Sequence, residues 1–382
     1  MSIYLDNAAT SFPKPSRVIE AVEETLRLNA ANPGRGGHHL SLQAGRLVME
    51  CREAVARFFG IEDSGRIAFT ANATEAINLG LFGALSPGDR VVTTSVEHNA
   101  VVRPLQELSS RGVNVVRVMA DSVGRVDPAA VREACLPGTR MLVMNHCSNV
   151  TGALQPIEEI GPWCREQGIL FMVDAAQSAG LFAIDASEMA IDLLAVPGHK
   201  SLLGPTGTGF LFVHPDLVLR PLLYGGTGNF SQSTTQPEEM PERLESGTLN
   251  TVGLAGLKAG LEFLESAGLD NVRAHERKLV GMLIDGLQGV EDVTLYGPLG
   301  SEWHGGAFSF NIKNVDPSML GFRLDREYGI CCRTGLHCAP EAHGSIGTLP
   351  QGTVRLSPGF FNTAEDIEQT LKAIRTIVAG AS

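Results

Sequence analysis

Lys200 is the residue from which chemistry can start. It lies in LLAVPGHKSLLGPTGTG, just past an apolar strand candidate and beside Gly198, His199 and Gly204 in a glycine-rich turn. A lysine held at a strand end beside a cleft is desolvated, which lowers its pKa and frees the amine to attack an aldehyde as a Schiff-base nucleophile. Taken alone, a solvated loop lysine is the simpler reading. Asp174 changes that. It ends LFMVD, in VDAAQSAG, at the carboxyl edge where open α/β sheets bind ligands. A carboxylate there can keep a pyridinium nitrogen protonated, which makes pyridoxal 5'-phosphate an electron sink. Gln177, three residues on, can donate to the ring's phenolate oxygen. Reading Asp174 as a helix cap would leave Lys200 unexplained.

Two more strings fit a flat, phosphorylated ligand. TANATEAINL follows the strand candidate IAFT and opens a helix, so the amides of Ala73 and Thr74 and the Thr74 hydroxyl sit at the positive end of the helix dipole. An ordinary threonine N-cap is the competing reading. In VEHNAVV, His98 ends another strand and can lay its imidazole over a ring, or simply start a helix. Cys338, in RTGLHCAPEAHGSIGTLPQGTVRLS, follows the strand candidate ICCRT. A thiol becomes a nucleophile only as thiolate, which neighbouring positive charge favours, and His337 and Arg333 are near in sequence. His337, Cys338 and His343 lack a fourth ligand at plausible spacing, so no metal is expected.

These residues must be positioned by the elements around them. Between about 65 and 215 the runs IAFT, DRVVTTS, NVVRVMA, RMLVMNH, LFMVDAA, DLLAVPG and GFLFV alternate with the helix candidates TEAINLGLFGAL, NAVVRPLQEL and IEEIGPWCREQG. That rhythm predicts an α/β domain with a mostly parallel central sheet, and strands apolar throughout are those covered on both faces. The polar stretch 220–247 reads as a long functional loop. Helices at 248–266 and about 270–288 follow, then strands AFSFNI, ICCRT and TVRLS. A last helix over 363–378 is opened by Thr363 with Asp366 three residues on. The expected division is a large domain over 15–264 and a smaller C-terminal α+β domain over 265–382, joined by residues 1–14.

The 382 residues suffice for two or three folding units. With 30 Lys and Arg against 42 Asp and Glu, a net charge of -12 and no basic run, nucleic acid is excluded as a partner. Seven cysteines, at 51, 135, 147, 164, 331, 332 and 338, are too few and too odd for a disulfide framework and read as reduced thiols. No leader pattern and no run near the roughly 20 apolar residues of a membrane span appear, so a cytoplasmic protein is expected.

In order along the chain, YLDNAAT, VEHNA, SNVTG, VDAAQSAG, GHK, ESGTLNT, RTGLHCAP and TVRLSPGFFNT resemble the class V aminotransferase family of fold-type I pyridoxal-phosphate enzymes. Within it they are similar to the cysteine desulfurases and selenocysteine lyases, and the short form RxGxHCA resembles the group with a compact catalytic-cysteine segment. The resemblance implies Lys200 as the Schiff-base lysine, Asp174 as pyridinium partner, Gln177 as phenolate contact and His98 as the stacked ring, with Ala73, Thr74 and His199 around the phosphate. Thr248 matches a residue that reaches the phosphate of the neighbouring subunit, which implies a homodimer. Pro197 departs from the pattern, since relatives often carry a hydroxyl donor there. Cys338 falls on the persulfide-forming position, Arg355 on the residue that holds the substrate carboxylate, and Asn149 on a second carboxylate contact.

The implied reaction is removal of sulfur from L-cysteine, giving L-alanine and a Cys338 persulfide, with a possible acceptor protein. L-selenocysteine is the alternative substrate, and a transaminase or epimerase with a passive Cys338 is the rival of the same fold.

Overall fold

The computed structural model describes residues 2–34, 36–229, 232–300 and 304–381. Two N-terminal helices, α1 (Ser16–Leu28) and α2 (His39–Phe58), follow a short strand β1 (Ile3–Tyr4). The central sheet comprises β2 (Ile67–Thr70), β3 (Arg90–Thr94), β4 (Asn114–Val118), β5 (Thr139–Asn145), β6 (Leu170–Asp174), β7 (Leu193–Pro197) and β8 (Gly209–Val213) in the order β2-β8-β7-β6-β5-β3-β4. Only β8 runs antiparallel to its neighbours, so the sheet is mostly parallel as expected. Helices α3 (Ala73–Ala84), α4 (Asn99–Ser110), α5 (Pro128–Ala134) and α6 (Ile157–Gln167) make the crossovers. All five residues of β7 and of β8 are buried, because each face carries its own apolar cluster.

Register decides where the chemistry sits. Asn145 pairs with Asp174 and Asp174 with Ala195, so the carboxyl ends of β5, β6 and β7 share one edge. The chain then turns through Gly198–Thr208 into β8, carrying Lys200 on the turn. Close packing forces glycine opposite this turn: Gly180 has φ +89°, and a Cβ there would stand 2.3 Å from the Ser201 carbonyl oxygen.

Helices α7 (Thr251–Ala267) and α8 (Leu269–Leu287) lead to an antiparallel sheet of β9 (Val293–Tyr296), β10 (Phe308–Ile312), β12 (Arg333–Gly335) and β13 (Thr353–Leu356), in the order β12-β13-β10-β9. Helices α9 (Pro317–Tyr328) and α11 (Ala364–Ala381) complete a second core. One expectation is refined here. ICCRT is two strands, not one: β11 (Ile330–Cys331) pairs parallel with β1, whereas β12 pairs with β13. The chain changes sheets at Cys332. After Cys338, helix α10 (Pro340–Ser345) packs Ala339, Ala342 and Ile346 into the core of the large sheet. The capping signal at the last helix is realised reciprocally, with Thr363 N donating to Asp366 and Asp366 N to Thr363 Oγ1.

The stretch 220–247 has no helix or strand among its described residues; Phe230 and Ser231 lie outside them. It is anchored nonetheless. The nearly buried Arg52 of α2 forks onto Glu245 at 2.8 and 3.0 Å and lies 4.5 Å over the Phe69 ring. Glu245 also accepts from Phe69 N at 2.6 Å. Arg52→Ala leaves the Glu245 carboxylate buried and uncompensated, so a loss of about 3–5 kcal/mol is expected. Urea unfolding checks it; a change under about 1 kcal/mol, the level of an exposed pair, contradicts the anchor.

Candidate active site

A cavity of about 320 Å³ opens at the shared carboxyl edge of the central sheet. Its wall brings together Ala73, Thr74, His98, Asn149, Asp174, Gln177, His199, Lys200, Cys338 and Arg355 from seven separate strings of sequence. Thr248 is the exception: it is exposed, outside this cavity, with Asn32 Nδ2 3.5 Å from its hydroxyl.

At one end, α3 points its first amides into the cavity. The cap is Asn72, whose Oδ1 accepts from Glu75 N at 3.0 Å, while Glu75 returns its carboxylate to Ala71 N at 2.6 Å. Thr74 is therefore not the N-cap. It sits inside the first turn, where the amides of Ala73 and Thr74 have no intrahelical acceptor and are available to an anion. Pro197 borders the same cavity without a hydroxyl.

In the middle, burial pulls Lys200 down to about 8, opposed by Asp174 and assisted by Arg355 and Arg333. Burial pushes Asp174 above the ordinary carboxylate range, against the Ala176 amide and Lys200. His98 is lowered to about 4 by burial and then by Lys200, Arg355 and Arg103. Its Nδ1 accepts from Ala100 N at 3.0 Å, so the neutral ring carries its proton on Nε2. It thus caps α4 and walls the cavity at once. Gln177 donates to the Ala8 carbonyl at 3.0 Å and keeps a second N–H.

The pKa of Lys200 has a kinetic consequence. Only the neutral amine attacks an aldehyde, and its fraction rises with pH through the pKa. Condensation of the cofactor-free chain with pyridoxal phosphate should therefore accelerate with a midpoint of about 8 and level off above it. An ordinary lysine would place that midpoint near 10.4. Absorbance-monitored mixing across pH measures it, and a rate still climbing at pH 10 contradicts the burial argument.

At the other end, Arg355 is almost wholly buried in β13. Nη1 donates to the Asn149 carbonyl at 2.9 Å, Nη2 to Asp6 at 3.0 Å, and Nε has no partner. Asp6 also accepts from Arg333 at 3.2 Å, so one carboxylate bridges two arginines. Asp6 was not foreseen, and its only signal was its place in YLDNAAT. Cys338 is exposed, with φ +56°, following His337 at φ +50°. Its carbonyl accepts from Asn99 N at 2.7 Å, and Asn149 Nδ2 holds the His337 carbonyl at 2.7 Å. These bonds tie the cysteine loop to the large sheet beside His98. One expectation needs correcting: His337 brings no positive charge to the thiol. Burial, with Arg355, holds it neutral, lowered to about 2, and its Nε2 lies 3.1 Å from Thr353 Oγ1. Arg355 interacts electrostatically with Cys338, and Arg333 and Lys200 line the same cavity.

The cavity's own unmet polar atoms test what it can hold. Asn145 Oδ1, Asn149 Oδ1, His199 Nδ1, His337 Nδ1 and Arg355 Nε are buried without partners, and all five residues line it. A phosphate cradle, an amine poised for an aldehyde, a buried carboxylate, a neutral imidazole and an arginine fork are the groups that pyridoxal phosphate and an α-amino acid require. Fold and site together define a fold-type I pyridoxal-phosphate enzyme.

The comparisons agree. The family described as Aminotransferase class-V matches residues 3–370, and the chain belongs to that family. A probable cysteine desulfurase of Methanothermobacter thermautotrophicus is 38% identical over 381 residues, 97% of this chain and 94% of that one. A cysteine desulfurase of Haloferax volcanii is 34% identical over 97% of this chain and 88% of its own length. The solved apo structure of a cysteine desulfurase from Thermococcus onnurineus NA1 superposes with a TM-score of 0.94 at 35% identity, covering 99% of this chain and 95% of that one.

Proposed function

We propose that this chain is a pyridoxal-phosphate-dependent cysteine desulfurase that moves sulfur from L-cysteine onto Cys338 and releases L-alanine. One observation carries the reading: the cavity that joins Lys200, Asp174 and Arg355 has the exposed thiol of Cys338 in its wall. The curated relatives bearing that name extend over nearly the whole chain.

The residues divide the work. Ala73 and Thr74 hold the phosphate, His98 covers the ring, Gln177 reaches the phenolate oxygen and Asp174 faces the ring nitrogen. Bound this way, pyridoxal phosphate supplies an electron sink for charge developing at the substrate Cα. Arg355, through Nε and its fork, and Asn149 orient the substrate carboxylate. Lys200 removes the Cα proton, for which a pKa of about 8 suits it near neutral pH. The Cys338 thiolate attacks the substrate sulfur; an S–S bond forms as the Cβ–S bond breaks, its electron pair stays with Cβ, and one proton taken up at Cβ and one returned to Cα complete alanine.

Release of alanine from L-cysteine and L-selenocysteine, with and without a reductant, tests the reading. Alanine from neither overturns it, and alanine from selenocysteine alone gives the lyase. The exposed Thr248 supports a homodimer in which it serves the second copy's phosphate, and the exposed Cys338 supports delivery of sulfur to an acceptor.

A further inference from the structure

The segment just ahead of α1 spends its polar groups on the turn that carries Lys200. Thr10 Oγ1, Ser11 N and Lys14 Nζ reach the His199 carbonyl oxygen at 3.1, 3.1 and 2.8 Å. Ser11 Oγ stands 2.6 Å from Lys14 Nζ and 2.8 Å from the Lys200 carbonyl oxygen. An ammonium has donors only, so the hydroxyl accepts from Lys14 and gives its one proton to the Lys200 carbonyl at 2.8 Å, the nearer of two acceptors, the His199 carbonyl oxygen standing at 3.2 Å. The result is a directed chain from ammonium to hydroxyl to carbonyl, each bond polarising the next. Lys14 is half-buried, and although burial lowers it to about 8 it keeps its charge at neutral pH.

Lys200 has a long side chain with four rotatable bonds, and its main chain sits in a turn rather than a strand. Within the turn, Leu203 N on the Lys200 carbonyl, Gly204 N on the Gly198 carbonyl and Gly198 N on the Thr208 carbonyl, each at 2.8 Å, close it from inside. The N-terminal segment closes it from outside. We propose that Lys14, acting with Ser11, is a positioning residue that clamps the His199–Lys200 main chain so that the Lys200 amine stays aligned with the substrate Cα proton. This rests on the reading of Lys200 as the base.

The test uses the full chain loaded with pyridoxal phosphate and follows exchange of the Cα proton of L-alanine for deuterium in D2O by NMR, a reaction that needs Lys200 but not Cys338. Lys14→Met should lower the maximal exchange rate about tenfold or more, the scale of a misplaced catalytic group, with the KM for alanine within about twofold. Lys14→Arg should restore part of it. Ser11→Ala, a smaller cut, should act in the same direction. Without cofactor, amide exchange of the 198–204 peptide, read by mass spectrometry, should quicken in Lys14→Met. A variant whose maximal exchange rate stays within twofold of the parent, or whose loss lies wholly in KM, overturns the clamp even if it melts earlier. A parent protein that exchanges no alanine overturns the reading of Lys200 itself, and the clamp with it.

Discussion

Cys338→Ala should abolish sulfur release from L-cysteine, by roughly a thousandfold or more, the scale on which loss of a nucleophile is felt. The bound cofactor's visible absorption and Cα-proton exchange into alanine should persist. The structure separates these effects. Cys338 is held through its main chain, by Asn99 N on its carbonyl, while its side chain is exposed. Removing the sulfur therefore creates no cavity and frees no buried polar group. Alanine tolerates the left-handed φ of +56° about as poorly as cysteine does, so the loop has no new reason to move. Nor does Cys338 contact the phosphate cradle or Asp174 in the hydrogen-bond network. Iodoacetamide modification should reproduce the substitution. Amino transfer to a keto acid that survives in the variant would make Cys338 passive and turn the reading towards a transaminase or epimerase of the same fold; lost absorption would make the cysteine structural.

Strand ends were legible because a strand covered on both faces must be an apolar run, and the chemistry of this fold hangs from the carboxyl ends of such runs. LFMVD stops at Asp174 in the structure as in the sequence, and IAFT and GFLFV have the expected bounds. Helices α1 and α2 escaped notice. Helix α2 buries Arg52 and leaves Leu42 and Met49 in the open, so it offers no clean one-sided stripe, whereas α1 does carry one, Val18, Ile19, Val22 and Leu26 sharing a face, with Ile19 and Leu26 exposed. In the site, what escaped was pairing across long separations. Asp6 meets Arg333 and Arg355, 327 and 349 positions away, and no local pattern announces such a bridge. Charge also misled. A histidine next to a cysteine suggests an activating cation, but whether His337 is charged is decided by burial, which only the folded chain sets. Thr248 has its proposed role only in a second copy, so one chain leaves it on the surface.

Arg355→Lys should cost about 3–6 kcal/mol in kcat/KM, or from about a hundredfold to over ten-thousandfold, because two charge-assisted bonds to the substrate carboxylate are lost at about 1.5–3 kcal/mol each. A lysine keeps the charge but offers a single point of contact, and it cannot satisfy the Asn149 carbonyl, Asp6 and a substrate together as the planar fork can. If those bonds are equally strong in ground and transition state, the loss falls in KM; if they sharpen the alignment of Cα with Lys200, kcat shares it. The neighbouring bridge complicates the measurement, since Asp6 loses one of its two arginines and the fold some stability. Asp6→Asn controls for this. It removes the bridging charge while leaving the guanidinium, so it should lower the unfolding midpoint at least as much as Arg355→Lys does but depress kcat/KM far less. Arg333 supplies the second control, because it is exposed, its hydrogen bond goes to the other oxygen of Asp6, and a lysine there keeps the charge that it brings to the cavity wall. Arg333→Lys should leave kcat/KM within about threefold, as expected of an exposed ion pair. Equal losses in kcat/KM from Asp6→Asn and Arg355→Lys would mean that the bridge, not the fork, is what the substrate needs, and a loss below tenfold in Arg355→Lys would remove Arg355 from the carboxylate site.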